Sequence, residues 1–356
     1  MAAATRAFIG THRVEAVTSP EATALAADTL GPLKNLLVTG GAGFIGSHFV
    51  RSTLAGRLPG LEDTRVTVLD KMTYAGSFAN LGAVADHKRL DFVPGDTGDA
   101  ALIDSVIRDH DTIIHFAAET SADRSTRAAE PFATANLVGA QVLLDAAVRH
   151  GAERYLQVST GAVYGSIETG AWSERSPLAP TSPYAATKAG ADLLALACHR
   201  THGLPVVITR GSATYGAHQH PEKTIPRIIT RLLQGETASL HGDGRTVRDW
   251  THVDDHCHGI ALALLDGRPG ETYHIGGSVE ISDRDLTGIL LRECDAGWDR
   301  VVPAAHGKGH DRRHALDDDK IRQELGWRPR VEFSSGLAAT VQWYRDNPDW
   351  WRPLLN

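Results

Sequence analysis

Basic charge, paired cysteines and long apolar runs are all scarce in this chain, and each scarcity removes a class of function. Thirty-six Lys and Arg stand against forty-three Asp and Glu, giving a formal net charge of -7 over 356 residues. No basic stripe is available to neutralise phosphates, so a nucleic-acid partner is not expected. An anionic ligand would have to be held by local arginines and lysines. The three cysteines, Cys198, Cys257 and Cys294, are widely spaced, odd in number and form no C-x-x-C. That leaves neither a disulfide framework nor a cysteine zinc site, and it suits a reducing, cytoplasmic setting. No run reaches eighteen consecutive apolar residues, so no membrane span is expected. Histidines are plentiful, among them His218, His220, His252, His256 and His258, but the pattern His-Glu-x-x-His is missing. No metal site is therefore expected.

The length is enough for one large domain or two lobes. Residues 1–32 are alanine-rich and lack the compact apolar core of a secretory signal, while Glu15, Glu21 and Asp28 weaken a transit-peptide reading. They are expected to form a flexible or partner-packed arm. After them Leu33 to Thr39 make a short apolar run that breaks into Gly40-Gly41-Ala42-Gly43-Phe44-Ile45-Gly46, and a helical pattern follows through Leu54. Gly40, Gly43 and Gly46 give the spacing G-x-x-G-x-x-G, in which missing side chains let backbone amides approach a pyrophosphate at a helix N-terminus. A second strand, Val66 to Leu69, ends in Asp70, placed to accept a hydroxyl from a cofactor ribose. That acid favours NAD over NADP, with Lys71 beside it tempering the preference. The alternative is that Asp70 only opens a turn.

Further strands end at Asp96 and at Ala117-Ala118, with helices such as Ala100 to Arg108 between them. Alternating strands and helices imply an α/β fold with a doubly wound parallel sheet. Phe132 to His150 and Pro183 to His202 read as two long helices, fit for core or for a dimer surface. Beyond Arg210 the simple alternation stops and a second lobe begins. The division expected is a nucleotide-binding domain over 33–210, to which the chain returns around 237–265, and a mainly substrate-binding lobe over 211–356.

Chemistry is expected at Ser159-Thr160-Gly161-Ala162-Val163-Tyr164-Gly165 and at Tyr184-x-x-x-Lys188. Four-residue spacing puts the phenol and the ammonium on one helix face, where the lysine charge favours the phenolate and lowers the tyrosine pKa. Thr160 closes an apolar strand run, so its hydroxyl sits at the sheet edge where open α/β sheets bind ligands. Together the three groups suit removal of an alcohol proton while hydride leaves to a nicotinamide. Arg248 is a bidentate phosphate candidate, or else half of a surface ion pair with Asp249 or Asp254.

These residues resemble the extended short-chain dehydrogenase/reductases acting on nucleotide sugars, and among them the dTDP-glucose 4,6-dehydratases. The likeness runs from about Leu36 to Trp351 and rests on Val38 to His48, Leu69-Asp70-Lys71, His115 to Glu119, Asp123-Arg124-Ser125 and Tyr184-x-x-x-Lys188. It continues through Gln219 to Pro226, Gly242-Asp243-Gly244, Val247 to Trp250, Gly309 to Arg313 and Glu324 to Trp327. The resemblance implies a Rossmann domain with a smaller C-terminal α/β substrate lobe. It implies NAD held by Gly40, Gly43, Phe44, Ile45, Gly46, Asp70, Lys71, Asp96, Ala117 and Ala118, with Thr160, Tyr184 and Lys188 at the nicotinamide. It also implies a nucleotide-diphosphate sugar contacted by Glu119, Ser121, Glu222, Lys223 and Arg248, and closed over by His310 and Arg313. Relatives pair through the two long helices, so a homodimer is expected.

One departure shapes the functional expectation. Where a dehydratase of this kind carries Thr-Asp-Glu, this chain has Thr160-Gly161-Ala162. In the relatives C4 is oxidised first, the acid and base then help to expel water across C5 and C6, and the hydride returns to C6. Each such group typically contributes about 10²- to 10⁴-fold. Small residues at 161 and 162 resemble the sugar 4-epimerases, where room lets a 4-keto sugar turn over. Ala213-Thr214 also stands in place of paired asparagines, and Ser121 in place of a histidine. The main expectation is thus an NAD-dependent 4-epimerase or related C4 oxidoreductase. The alternatives are a true 4,6-dehydratase with its acid and base relocated, to Glu119 and Asp123, and a non-catalytic homologue that binds NAD and a sugar nucleotide.

Overall fold

The computed structural model describes residues 33–277, 279–305 and 311–355. The arm expected over residues 1–32, and His310, lie outside the described residues. From Leu33 onward the chain forms one compact unit. Its strands are β1 Asn35–Thr39, β2 Arg65–Asp70, β3 Leu90–Pro94, β4 Thr112–His115, β5 Arg154–Thr160 and β6 Val206–Gly211. They continue as β7 Ala213–Tyr215, β8 Ala238–His241, β9 Val247–His252, β10 Thr272–Ile275, β11 Val279–Ser282 and β12 Val301–Ala304.

Seven strands make the main sheet in the order β10-β6-β5-β4-β1-β2-β3, with every neighbouring pair parallel. Strand alternation separates two apolar layers. Leu36 and Val38 of β1 face a core with Phe49, Val50, Ile260 and Leu264, while Leu37 between them faces Ile103, Leu143 and Leu144. The expected parallel, doubly wound domain is therefore present. Strand order reverses between β1 and β4, which opens a crevice at the carboxyl edge where such sheets take their ligands.

The second lobe has its own small sheets, β11-β9-β7 and β12-β8. The chain returns to the main sheet through the helix Val253–Asp266 and β10. It does not do so from residue 237, because Ala238 to His241 pair with β12. A third apolar cluster, including Tyr215, Ile225, Trp250, Leu286 and Leu337, holds this lobe together. Among the described residues one helix, Glu130–Arg149, is long and apolar enough to cross a membrane by length and composition, with half of that window buried against the rest of the protein. Burial of this kind is what a core helix shows.

Candidate active site

The glycine turn after β1 has little steric choice. Gly40 has φ +70°, and a Cβ there would fall 2.5 Å from the amide nitrogen of Ala117. A Cβ at Gly46 would overlap the Gly40 carbonyl oxygen. The helix Phe44–Leu54 begins at Gly43 with no side-chain cap, so its first amides present bare N–H groups to the crevice. At the end of β2, Asp70 accepts the Ala42 N–H at 3.0 Å and the Met72 N–H at 2.8 Å. Asp70 thus does open a turn, yet a carboxylate has about four acceptor sites, and two bonds leave capacity for a ribose hydroxyl. Lys71 pairs with Asp96 at 3.1 Å, and Asp96 also accepts the Gly98 N–H at 2.9 Å. Bare amides, a Cβ-free cradle and an acid closing β2 fit a dinucleotide.

Across the crevice, the helix Pro183–His202 carries the phenol and the ammonium. Its start is fixed by Ser182, whose hydroxyl accepts the Ala185 N–H at 3.2 Å, and by Pro183 in the first turn; it ends at Gly203 with φ +72°. Tyr184 shares a hydrogen bond with Thr160. Lys188, almost fully buried, donates to the Val158 carbonyl at 2.8 Å. One turn further, fully buried Asp192 accepts from the Ser159 hydroxyl at 3.0 Å and from the Arg210 guanidinium at 2.8 Å.

The electrostatics correct one expectation. The lysine was expected to lower the tyrosine pKa, but burial pushes the Tyr184 phenol up to about 12, with the Thr160 hydrogen bond opposing and Asp192 adding to the rise. Burial also lowers Lys188 to about 8 against the pull of Asp192. Desolvation outweighs the charge that the spacing brings close.

A cavity of about 800 Å³ joins the two sides. It is lined by Gly40, Gly43, Phe44, Ile45, Gly46, Asp70, Lys71, Asp96, Ala117 and Ala118, and also by Thr160, Tyr184 and Lys188. Glu119, Ser121, Glu222, Lys223 and Arg248 line it too. Ser121 caps the short helix Ala122–Arg127, and Lys223 donates to the Thr120 carbonyl at 2.9 Å. Glu222 accepts the Tyr74 hydroxyl at 2.9 Å. Arg248 does not form the surface pair with Asp249 or Asp254. Its guanidinium is half-buried and donates to the carbonyls of Val247 and Asp311, each at 2.8 Å.

Arg313 is a correction. Its guanidinium is held by Glu280 and by the Gly170 carbonyl at 2.8 Å, away from the residues that line the cavity. Three of its five N–H groups are taken by these partners, which hold the fork toward Glu280 and Gly170. His310, expected beside it, lies outside the described residues.

Gly161 brings a second correction, because the room expected there is filled. A Cβ at Gly161 would lie 3.0 to 3.2 Å from three carbons of Leu316, which packs with Val163, Tyr164 and Ala189. Both residues line the cavity, Gly161 buried and Ala162 half-buried.

Asn136 was not singled out by sequence. Its side chain accepts the Glu119 N–H at 2.8 Å and donates both to the Glu119 carbonyl at 3.0 Å and to the Thr187 hydroxyl at 2.9 Å. It ties the end of β4 to the Tyr184 helix from a π-helical turn, Thr134–Val138, a distortion common at functional sites. An asparagine inside an apolar helical pattern was the available signal.

Known proteins share both this sequence and this architecture. Residues 37–340 match the model of the GDP-mannose 4,6 dehydratase family. The chain is 54% identical to a dTDP-glucose 4,6-dehydratase of Streptomyces niveus over 90% of this chain and 95% of that one. The solved structure of the dTDP-glucose 4,6-dehydratase DesIV from Streptomyces venezuelae, which has NAD bound, superposes with a TM-score of 0.89 at 56% identity, covering 90% of this chain and 99% of that one. A UDP-glucose 4-epimerase from Thermotoga maritima is similar at 29% identity and a TM-score of 0.81, covering 88% and 99%.

Proposed function

Because the chain belongs to the NAD-dependent nucleotide-sugar dehydratase/epimerase family of short-chain dehydrogenase/reductases, we propose that it binds NAD and oxidises C4 of a dTDP-linked hexose. The observation that carries this reading is the Thr160, Tyr184 and Lys188 set on the wall of the same cavity as the glycine turn. The amides around Gly43 to Gly46 would hold the pyrophosphate, Asp70 the ribose, and Lys71, Asp96, Ala117 and Ala118 the flanking surfaces. Bound NAD supplies the hydride acceptor and a positive ring. Tyr184 takes the proton of the C4 hydroxyl, Thr160 orients that hydroxyl, and Lys188 fixes the helix face to the end of β5. Lys223 and Arg248 offer charge to the diphosphate.

A 4-keto sugar has two continuations. The names of the relatives weigh for 4,6-dehydration over the 4-epimerase first expected, and the Leu316 side chain over Gly161 removes part of the room on which epimerisation was argued. For dehydration the carboxyl proposed is Glu119, whose buried Oε2 has no hydrogen bond and only a 3.7 Å ion pair with Arg124, and whose backbone Asn136 holds against the Tyr184 helix. Asp123 lines the same cavity. Epimerisation is the second reading, favoured by the absence of any acid or base at Gly161 and Ala162. Incubation with dTDP-glucose and mass analysis separates them. Dehydration removes one water from the product, epimerisation leaves the mass unchanged, and an unaltered substrate with an unreduced cofactor contradicts both.

The homodimer is part of the same proposal. Val138 and Leu193 stand 51% and 58% exposed on the two helices through which relatives pair. Replacing both with aspartate is expected to halve the mass seen by light scattering, and a monomeric parent protein would refute the pairing.

A further inference from the structure

The wall of the cavity beside Thr160 contains a polar atom with no part in C4 oxidation as proposed. His256, 2% exposed on the helix Val253–Asp266, lines the cavity and its Nε2 has no hydrogen-bond partner. The ring reaches the cavity past a position with no side chain, since a Cβ at Gly211 would fall 2.5 Å from Nε2. Gly211 is the register partner of Thr160 across β5 and β6. Registered residues on neighbouring parallel strands lie about 4.8 Å apart and point to the same sheet face. Nε2 therefore sits on the Thr160 side of the sheet, on the order of one sugar ring from the Thr160 hydroxyl.

The surroundings offer a partner for a proton on Nδ1. Thr214 donates its hydroxyl proton to the Ser212 carbonyl at 3.2 Å, and the same oxygen lies 2.6 Å from His256 Nδ1. In the tautomer with the proton on Nδ1, Thr214 Oγ1 accepts it and gives its own proton to Ser212, so that Nε2 presents a lone pair. Burial, which lowers the imidazole pKa to about 4, keeps the ring neutral at physiological pH. A buried acceptor without a donor is costly until a ligand supplies one.

We propose that His256 Nε2 accepts a hydrogen bond from the hydroxyl on C3 of the bound hexose, next to the reacting carbon, and so selects sugars that carry a donor there. This rests on the C4-oxidation reading. The same lone pair could be met by the carboxamide N–H of the cofactor, and the test has an arm for each source. Binding of dTDP-glucose and its 3-deoxy analogue is measured by calorimetry in a Tyr184→Phe background, which stops turnover, with and without His256→Phe, and bound NAD is quantified in each protein. With His256 intact the 3-deoxy sugar should bind about tenfold more weakly, and His256→Phe should shrink that ratio below about twofold with NAD content unchanged. A ratio that survives His256→Phe overturns the proposal, and a fall in bound NAD with the ratio intact assigns the acceptor to the carboxamide instead. Should His256→Phe fail to fold, Thr214→Val removes the acceptor for Nδ1–H and must also narrow the ratio. If neither sugar binds, or the parent protein shows no reduction of NAD with dTDP-glucose, the C4 reading itself fails, whereas an unchanged ratio alongside normal reduction refutes only the role of His256.

Discussion

The two walls of the cavity differ in how much chemistry they retain. On one wall stand the glycine turn, Asp70, Thr160, Tyr184 and Lys188, the set proposed to move a hydride. On the other, Ala162 and Ala213 present only methyl groups to the cavity, while Gly161 and Gly211 lie against Leu316 and His256. One fold can keep its redox step while thinning the groups that decide the fate of the keto sugar, because strand ends and loops at this edge contribute to each step separately.

The comparison breaks most decisively at Tyr184. Tyr184→Phe should slow reduction of bound NAD by about 10³-fold in a single-turnover absorbance measurement, and retention of the full rate would remove the hydride wall from the account. Next is Glu119→Gln, which should slow water loss by about 10²-fold and leave C4 oxidation close to the parent rate. Equal slowing of both steps would show that Glu119 serves the redox wall instead.

Thr160→Ala is expected to cost roughly tenfold and to move the ascending, acidic limb of the pH profile. The sign comes from the hydrogen bond that pulls the Tyr184 pKa down. Removing it raises the phenol further, so less phenolate forms at a given pH and the limb shifts to higher pH. The smallest effect concerns the thinned wall. Gly161→Ala should destabilise the fold by about 1 kcal/mol as the new methyl presses on Leu316, and Leu316→Ala in the same chain should relieve the clash in a double-mutant cycle. Additive losses would mean the Leu316 side chain does not seal that position.

Much of the hydride wall was legible in sequence because its devices are local. A glycine spacing, an acid closing a strand and a Tyr-x-x-x-Lys turn each specify their own geometry within a few residues. The other wall depends on contacts distant in sequence. Leu316 over Gly161, the fork of Arg313 on Glu280 and the clasp of Asn136 on Glu119 and Thr187 join residues whose neighbours give no pattern. The tyrosine pKa was misjudged for a related reason: spacing reveals the nearby lysine, but burial of the phenol depends on the whole packed site.

The most direct test uses dTDP-glucose carrying deuterium at C4 and tracks both the absorbance of reduced cofactor and the position of the label by NMR. The account predicts transient reduction slowed by the isotope, with the label delivered to C6 of a product lighter by one water. Label returned to C4 of an isomer would support the second reading. Product formed with no reduced cofactor and no isotope effect would contradict the claim that this cavity oxidises the sugar at C4.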